Sequence, residues 1–218
     1  MSAETARNIG SDLIRVHKVI SRAITISSQY SQSPGPEPVL REGFRSYERA
    51  LGIFLNSHHV GEDDIAFPYI EKKAPNAAFN QLREEHRQIV FLLNVINDWV
   101  NKDGAAWEAA SLAKLNKTIT DLKKIWYQHI ALEEQMIGPE GIERLLTAEE
   151  NAQLGEQIGI YAQQYSQPAE LVLPFMLLNM PPEDRAIMVQ GMPPTIMEQL
   201  IPHAWKATWA PMQPFLLD

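Results

Sequence analysis

Residues 58–68, HHVGEDDIAFP, and residues 129–139, HIALEEQMIGP, carry one pattern twice. Aligned on Pro68 and Pro139, His58 falls on His129, Glu62 on Glu133, and Asp63 on Glu134. Residues four apart on a helix lie on one face, so each stretch projects an imidazole and a carboxylate toward a common point. If those points are buried, the groups need partners, since an unpartnered buried polar group costs on the order of several kcal/mol. A fold for this chain therefore has to bring partners to both motifs.

The rest of the chain supplies helices to do so. Leu13, His17, Ile20, Ile24 and Ser27 share one helical face, closed by the breaker SQSPGPEP. Leu40, Phe44, Tyr47, Leu51, Leu55, His58 and Glu62 continue the rhythm up to Pro68, which is expected to end or kink the helix. A third segment, starting near Asn76, carries Phe79, Leu82, His86, Ile89, Leu93, Ile96 and Val100 before NKDG. The fourth runs from about Trp107 through Leu115, Ile119, Leu122, Trp126, His129, Glu133 and Met136 to GPEG. Four long amphipathic segments with short connections predict an all-α fold, an antiparallel up-down four-helix bundle over residues 1–146.

Residues 147–218 read differently. Thr147 and Glu150 form a capping-box pattern ahead of one further helix, and prolines then break the chain into pieces of two or three turns. Six of the eight methionines fall between Met176 and Met212. This segment is expected to be a C-terminal extension of short helices packed on the bundle or on a second subunit, which makes a homodimer through the extension one expected assembly. Soft methionine side chains suit irregular contacts of that kind.

Composition removes several classes of function. With 218 residues, 45% of them apolar and 21% charged, the chain can bury one sizeable core. Its formal charge of −8 and scattered Lys and Arg offer no footprint for nucleic acid. The absence of cysteine rules out disulfides, thiolate metal sites and thiol catalysis, leaving His and carboxylate as the metal donors. The start, MSAETARNIG, lacks the pattern of a secretory signal, and the apolar run LVLPFMLLNM is short and holds a proline, so a cytoplasmic chain with no membrane partner is expected.

His17 and His86 sit on the apolar stripes of the first and third segments. His58 lies ten residues before Pro68, His129 ten before Pro139, and His86 ten after Asn76. In an up-down arrangement these three fall at one height, about 15 Å from the same end, and His17 joins them if its helix begins near residue 7. A lone histidine on an apolar stripe is more often a core residue than a ligand. Four at one level with Glu62 and Glu133 are a metal site, with imidazoles and bridging carboxylates enough for two first-row ions, iron being the first choice.

The order His, His-x3-Glu, His, His-x3-Glu, with the doubled His, acid pair and Phe-Pro of HHVGEDDIAFP, resembles the hemerythrin-like HHE cation-binding family over roughly residues 8 to 140. The resemblance implies a four-helix bundle holding a non-haem di-iron centre, with His17, His58, Glu62, His86, His129 and Glu133 as ligands and both glutamates bridging. Family roles span oxygen binding or sensing, nitric oxide and peroxide chemistry, and iron storage or repair. Oxygen-carrying members place His-x3-His on the third helix, whereas here the fourth residue after His86 is Val90. Each ion would then have two imidazoles and two carboxylate oxygens, with room for a bridging oxo or hydroxo group and an exchangeable position. Such a site suits reaction with oxygen, peroxide or nitric oxide. The alternative is a non-catalytic oxygen or iron sensor, or metal-binding protein, that signals through the extension.

Four residues stay open at this level. His59 is turned about 100 degrees from His58 around the helix, so a metal shell shared with His58 is not expected, and an outer contact with a ligand or an interhelical bond stays open. Glu134 could replace Glu133, though the internal repeat favours Glu133. His203, near Trp205 and Trp209, reads as a tail histidine, and Tyr47 as a core residue.

Overall fold

The computed structural model describes residues 8–35 and 37–217. Among them the chain is helical with no strand, and no helix is long and apolar enough to cross a membrane. Four helices are long: α1 (Ile9–Gln32), α2 (Pro38–Gly61), α4 (Phe79–Val100) and α5 (Ala109–Ile137), with the one-turn α3 (Phe67–Ile70) between α2 and α4. α5 lies against both α1 and α4, α4 also lies against α2, and α2 meets α1. The apolar stripes read from the sequence are the faces these contacts bury, from Ile20 and Ile24 to Leu51, Leu55, Ile89, Leu122 and Trp126.

The helix ends follow local chemistry. Asn8 caps α1, its side-chain oxygen accepting from the amides of Gly10 and Ser11, which puts the helix start two residues after the expected position. The third helix starts at Phe79, three residues after Asn76. Pro68 does not end its helix. The backbone passes from α2 through a π-helical turn, Glu62–Ala66, directly into α3, where Pro68 occupies the first turn. The wider turn accommodates the missing N–H, and the chain stays helical to Ile70. That π turn also sits at the repeated motif, at Glu62 itself.

Beyond α5 the chain forms α6 (Pro139–Leu145), α7 (Ala148–Tyr165), α8 (Ala169–Asn179), α9 (Pro182–Met188) and α10 (Lys206–Trp209), with a π segment at Ile196–Ala204 and 3-10 turns at Val189–Gly191 and Ala210–Phe215. The capping box of Thr147 and Glu150 is present at the start of α7. α7 and the 210–215 turn lie along α2, and α8 lies against α1 and α2. Phe175, Met180, Met212 and Phe215 join the apolar cluster of the long helices. A polar pin accompanies them: Tyr47 donates to the Asn179 side-chain oxygen at 2.9 Å, and the Arg22 guanidinium donates to Asn179 and, at 2.8 Å, to the Phe215 carbonyl. Tyr47, expected to be a core residue, is buried and also part of this pin.

Gly43 on α2 makes the closest of these contacts. A Cβ there would collide with the Pro211 carbonyl and meet the Phe215 ring at 3.4 Å, whereas one at Gly52 of the same helix would meet nothing within 4 Å. Gly52→Ala should therefore stabilise by about 1 kcal/mol, the ordinary helix gain. Gly43→Ala should reverse the sign, by roughly 1–2 kcal/mol after overpacking is set against that gain. Paired denaturant midpoints of the two variants test this.

A second buried polar group lies apart from the repeated motifs. Glu48 on α2 is fully buried with no well-directed hydrogen bond to either carboxyl oxygen. Burial pushes its carboxyl from 4.5 up to about 8, with the Ser27 hydroxyl of α1 pulling weakly the other way. The folded protein thus holds a proton that the unfolded chain releases above pH 4.5, and this contribution to stability falls as pH rises from there toward 8. Relative to wild type, Glu48→Gln should gain roughly 3 kcal/mol between pH 5 and pH 8. Equal denaturant midpoint differences at the two pH values would contradict the assignment.

Candidate metal centre

The structure brings His17 from α1, His58 from α2, Glu62 from the π turn, His86 from α4, and His129 and Glu133 from α5 into one cluster. The rings of His17 and His58 have centroids 5.2 Å apart, and those of His86 and His129 4.7 Å apart. His17 Nε2 lies 3.2 Å and His129 Nε2 3.4 Å from Glu133 Oε2. His58 Nε2 is 3.2 Å from Glu62 Oε1, and His86 Nε2 is 3.5 Å from Glu62 Oε2. Each glutamate therefore lies between one histidine of its own motif and one from a neighbouring helix. This is the meaning of the repeat: each motif is completed by another helix's imidazole.

The doubled acid divides the work. Glu62 and Glu133 point into the cluster, while Asp63 and Glu134, one residue on, stand at its rim with side chains about one-third exposed, at 34% and 33%. Asp63 accepts from His86 Nδ1 at 3.0 Å, and Glu134 from His17 Nδ1 at 2.7 Å. On α4, Glu85 does the same for His129 Nδ1 at 3.1 Å. Three histidines are thus held from outside by a carboxylate, which fixes the ring and turns Nε2 inward. Glu134 has this outward role in the geometry, and Glu133 the inward one.

Two observations test whether the cluster suits cations. The first is orphaned polarity: Nε2 of His17 and His58 and both carboxyl oxygens of Glu62 and of Glu133 are buried without a well-directed hydrogen bond. Groups so buried need a partner that the protein does not itself supply. The second is the donor geometry. His17, His58, Glu62 and Glu133 form one group whose ligand atoms all lie within 4.8 Å of one another, and His59, Glu62, His86 and His129 form another. Glu62 belongs to both, and the donors are imidazole and carboxylate, which suit first-row cations. The residues fit.

Electrostatics agree with that use. Burial, and then the neighbouring histidines, hold His58 and His59 well below the usual imidazole range, so both are neutral and able to give a lone pair. Burial and the nearby Glu133 push Glu62 well up. For Glu133 burial acts upward, but contacts with His129 and His17 outweigh it and hold the carboxyl well below 4.5. At His17 burial acts downward and is outweighed by Glu133 and Glu134, which raise it. Without a cation, the proton burden is split unevenly between two carboxylates that crowd each other.

His59, not expected to share a metal shell with His58, makes an interhelical contact instead, and the two histidines fall in different donor groups. His59 is buried at 1% exposure, stacked on His86 with centroids 3.9 Å apart and planes 14° apart. The angle around the helix accounts for this: α2 faces α1 with His58 and α4 with His59. His203, in contrast, is exposed in the 196–204 turn and belongs to neither group. Glu85 was missed by sequence reasoning, the available signal being its place one residue before His86. So was the role of Trp126, a fully buried ring within 6.2 Å of His17, His58, His59 and His129 that closes one side of the cluster. Phe67, stacked on His86 at 5.5 Å, lies on another.

Helices that converge histidines and carboxylates on shared buried points define a class, a helical protein with clusters able to hold metal cations. The hemerythrin HHE cation binding domain matches residues 8–140, and the chain belongs to that family. No curated protein and no solved structure matches it.

The outer carboxylates offer a direct check. Asp63→Ala and Glu134→Ala should each weaken metal binding by about 10–100-fold while leaving the number of ions unchanged. Glu62→Ala should lose most of the bound metal. Competition titration against a chelator, with metal analysis of the purified variants, distinguishes the two behaviours.

Proposed function

We propose that this chain is a non-haem di-iron protein that binds or reacts with a small oxidant, either oxygen, peroxide or nitric oxide. The observation that supports the reading most is that Glu62 belongs to two four-donor groups at once. In this reading α1, α2, α4 and α5 form an antiparallel up-down bundle over residues 1–146, followed by a helical extension over 147–218 in a cytoplasmic protein. His17, His58, Glu62, His86, His129 and Glu133 would hold two iron ions.

Bound iron would supply electrons and Lewis acidity to a small molecule. The chain's own residues do the rest. Asp63, Glu85 and Glu134 keep His86, His129 and His17 in one tautomer with Nε2 directed inward. Trp126 and Phe67 border the cluster with apolar surface, which keeps bulk water off the reacting atoms. Of the acids in contact with the cluster, Asp63 and Glu134 reach solvent most, so a proton leaving it has an acceptor there.

A second reading, a sensor that signals through the extension, has one observation in its favour. α7 and its C-terminal cap are bonded to the helical segment that carries the first motif, just before its histidines and within its acidic run. Ser57 donates to the Ala162 carbonyl at 3.2 Å, Ser166 donates to Ser57 at 2.8 Å, and Tyr161 donates to Asp64 at 2.5 Å. A metal-dependent shift of the π turn would reach α7 through these bonds.

Protein expressed with iron and purified without chelator should carry two irons per chain and consume added peroxide or bind nitric oxide with a change in its visible spectrum. Two irons without any such reaction, together with metal-dependent hydrogen exchange in residues 148–165, would move the sensor reading to first place. No iron, or a single zinc, would overturn the di-iron reading.

A further inference from the structure

Among the histidines of the cluster, His59 has the least protein to explain it. His17, His86 and His129 each have Nδ1 bound to an outer carboxylate. His59 is as deeply buried as they are, and neither ring nitrogen has any hydrogen-bond partner. An imidazole cannot hide both nitrogens: one carries a proton and the other a lone pair, and burying both unmet is costly. Stacking on His86 satisfies the ring faces and leaves both nitrogens unserved.

A ring nitrogen of His59 lies within 4.8 Å of donors on Glu62, His86 and His129, themselves mutually within that distance. We propose that His59 is a fifth imidazole ligand, bound to the ion held by His86 and His129, so that the two ions of the centre are unlike. This rests on the metal-binding reading above and deepens it. One ion has His59, His86 and His129 with Glu62, and the other has His17 and His58 with Glu62 and Glu133. Glu133 Oε2, 3.2 Å from His17 Nε2 and 3.4 Å from His129 Nε2, is placed to reach both. The His59 ion then has one donor more than its neighbour.

The geometry of α2 makes this arrangement economical in sequence. Adjacent residues on a helix point about 100 degrees apart, and α2 has α1 on one flank and α4 on the other. His58 contacts His17 of α1, and His59 contacts His86 of α4. A doubled histidine therefore lets one helix serve both ions. At the second motif the residue after His129 is Ile130, so no counterpart exists there and the site is asymmetric from the sequence upward.

The test is a Co2+ titration of the full chain, followed by visible ligand-field spectra and by circular dichroism. Wild type should bind two Co2+ per chain. His59→Ala should keep its helicity and bind one ion as before, with the second weakened beyond the 10–100-fold typical of outer partners. Added free imidazole, which fits the space vacated by the ring, should restore the second ion and its bands. If the alanine variant does not fold, His59→Gln replaces it, and it should show the same selective loss of one ion. Two ions bound by variant and wild type alike, with unchanged spectra, would overturn the assignment of His59 alone. So would a weakened second ion that imidazole does not restore, or, for the Gln variant, ions whose bands keep their wild-type positions. Failure of the wild type to bind any Co2+ or iron would overturn the proposed function along with it.

Discussion

Seven ionisable side chains share the interior of this protein at one level: His17, His58, His59, Glu62, His86, His129 and Glu133, six of them buried and His58 nearly so. No other feature demands so much of the fold. Apolar side chains in a core can be exchanged for others of similar volume, but a buried imidazole or carboxylate has to meet a partner in a specific direction. The layer divides the apolar interior into two clusters, one containing Trp126, Leu55 and Ile89, the other Phe67, Phe79, Leu82 and Ile137. The helices must bring the donors together and at the same time close both clusters around them.

The π turn at Glu62–Ala66 follows from this demand. α2 has to present His58 and His59 to different neighbours and then deliver Glu62 between them, a few residues before Pro68, which cannot donate to the regular hydrogen-bond pattern. A wider turn meets both requirements without ending the helix. α5 has no such turn at its own motif. It runs regularly to Ile137, stops at Gly138, and leaves Pro139 to open α6. The two motifs are alike in sequence and differ in backbone, and the difference falls where α2 carries one histidine more.

Residues 147–218 complete the protein in a different way. Phe175, Met180, Met212 and Phe215 fill space against α1 and α2, where Gly43 admits the backbone at Pro211. Arg22, Tyr47 and Asn179 fix the register of that contact with hydrogen bonds between groups far apart in sequence. α7 lies nearer the metal layer and, with its C-terminal cap, is bonded to the segment that carries the first motif. The cluster is thus bordered on the α2 side by a part of the chain outside the matched family region.

Much of this was legible in the sequence because it rests on periodicity. Ile20, Ile24 and Ser27, or Leu82, Ile89 and Ile96, mark buried helical faces, and the spacing of His17, His58, His86 and His129 from the helix ends put them at one height. The sequence by itself determined the helices, the internal repeat, and the convergence of histidines with glutamates, since each depends on positions along a single helix. Tertiary structure decided what depends on neighbours. It turned His59 inward because α2 has α4 on its second flank, assigned Asp63, Glu85 and Glu134 to the outer nitrogens of histidines on other helices, and buried Glu48 beside Ser27. One-dimensional spacing specifies the direction in which a side chain leaves its helix, but only packing specifies what stands there to meet it.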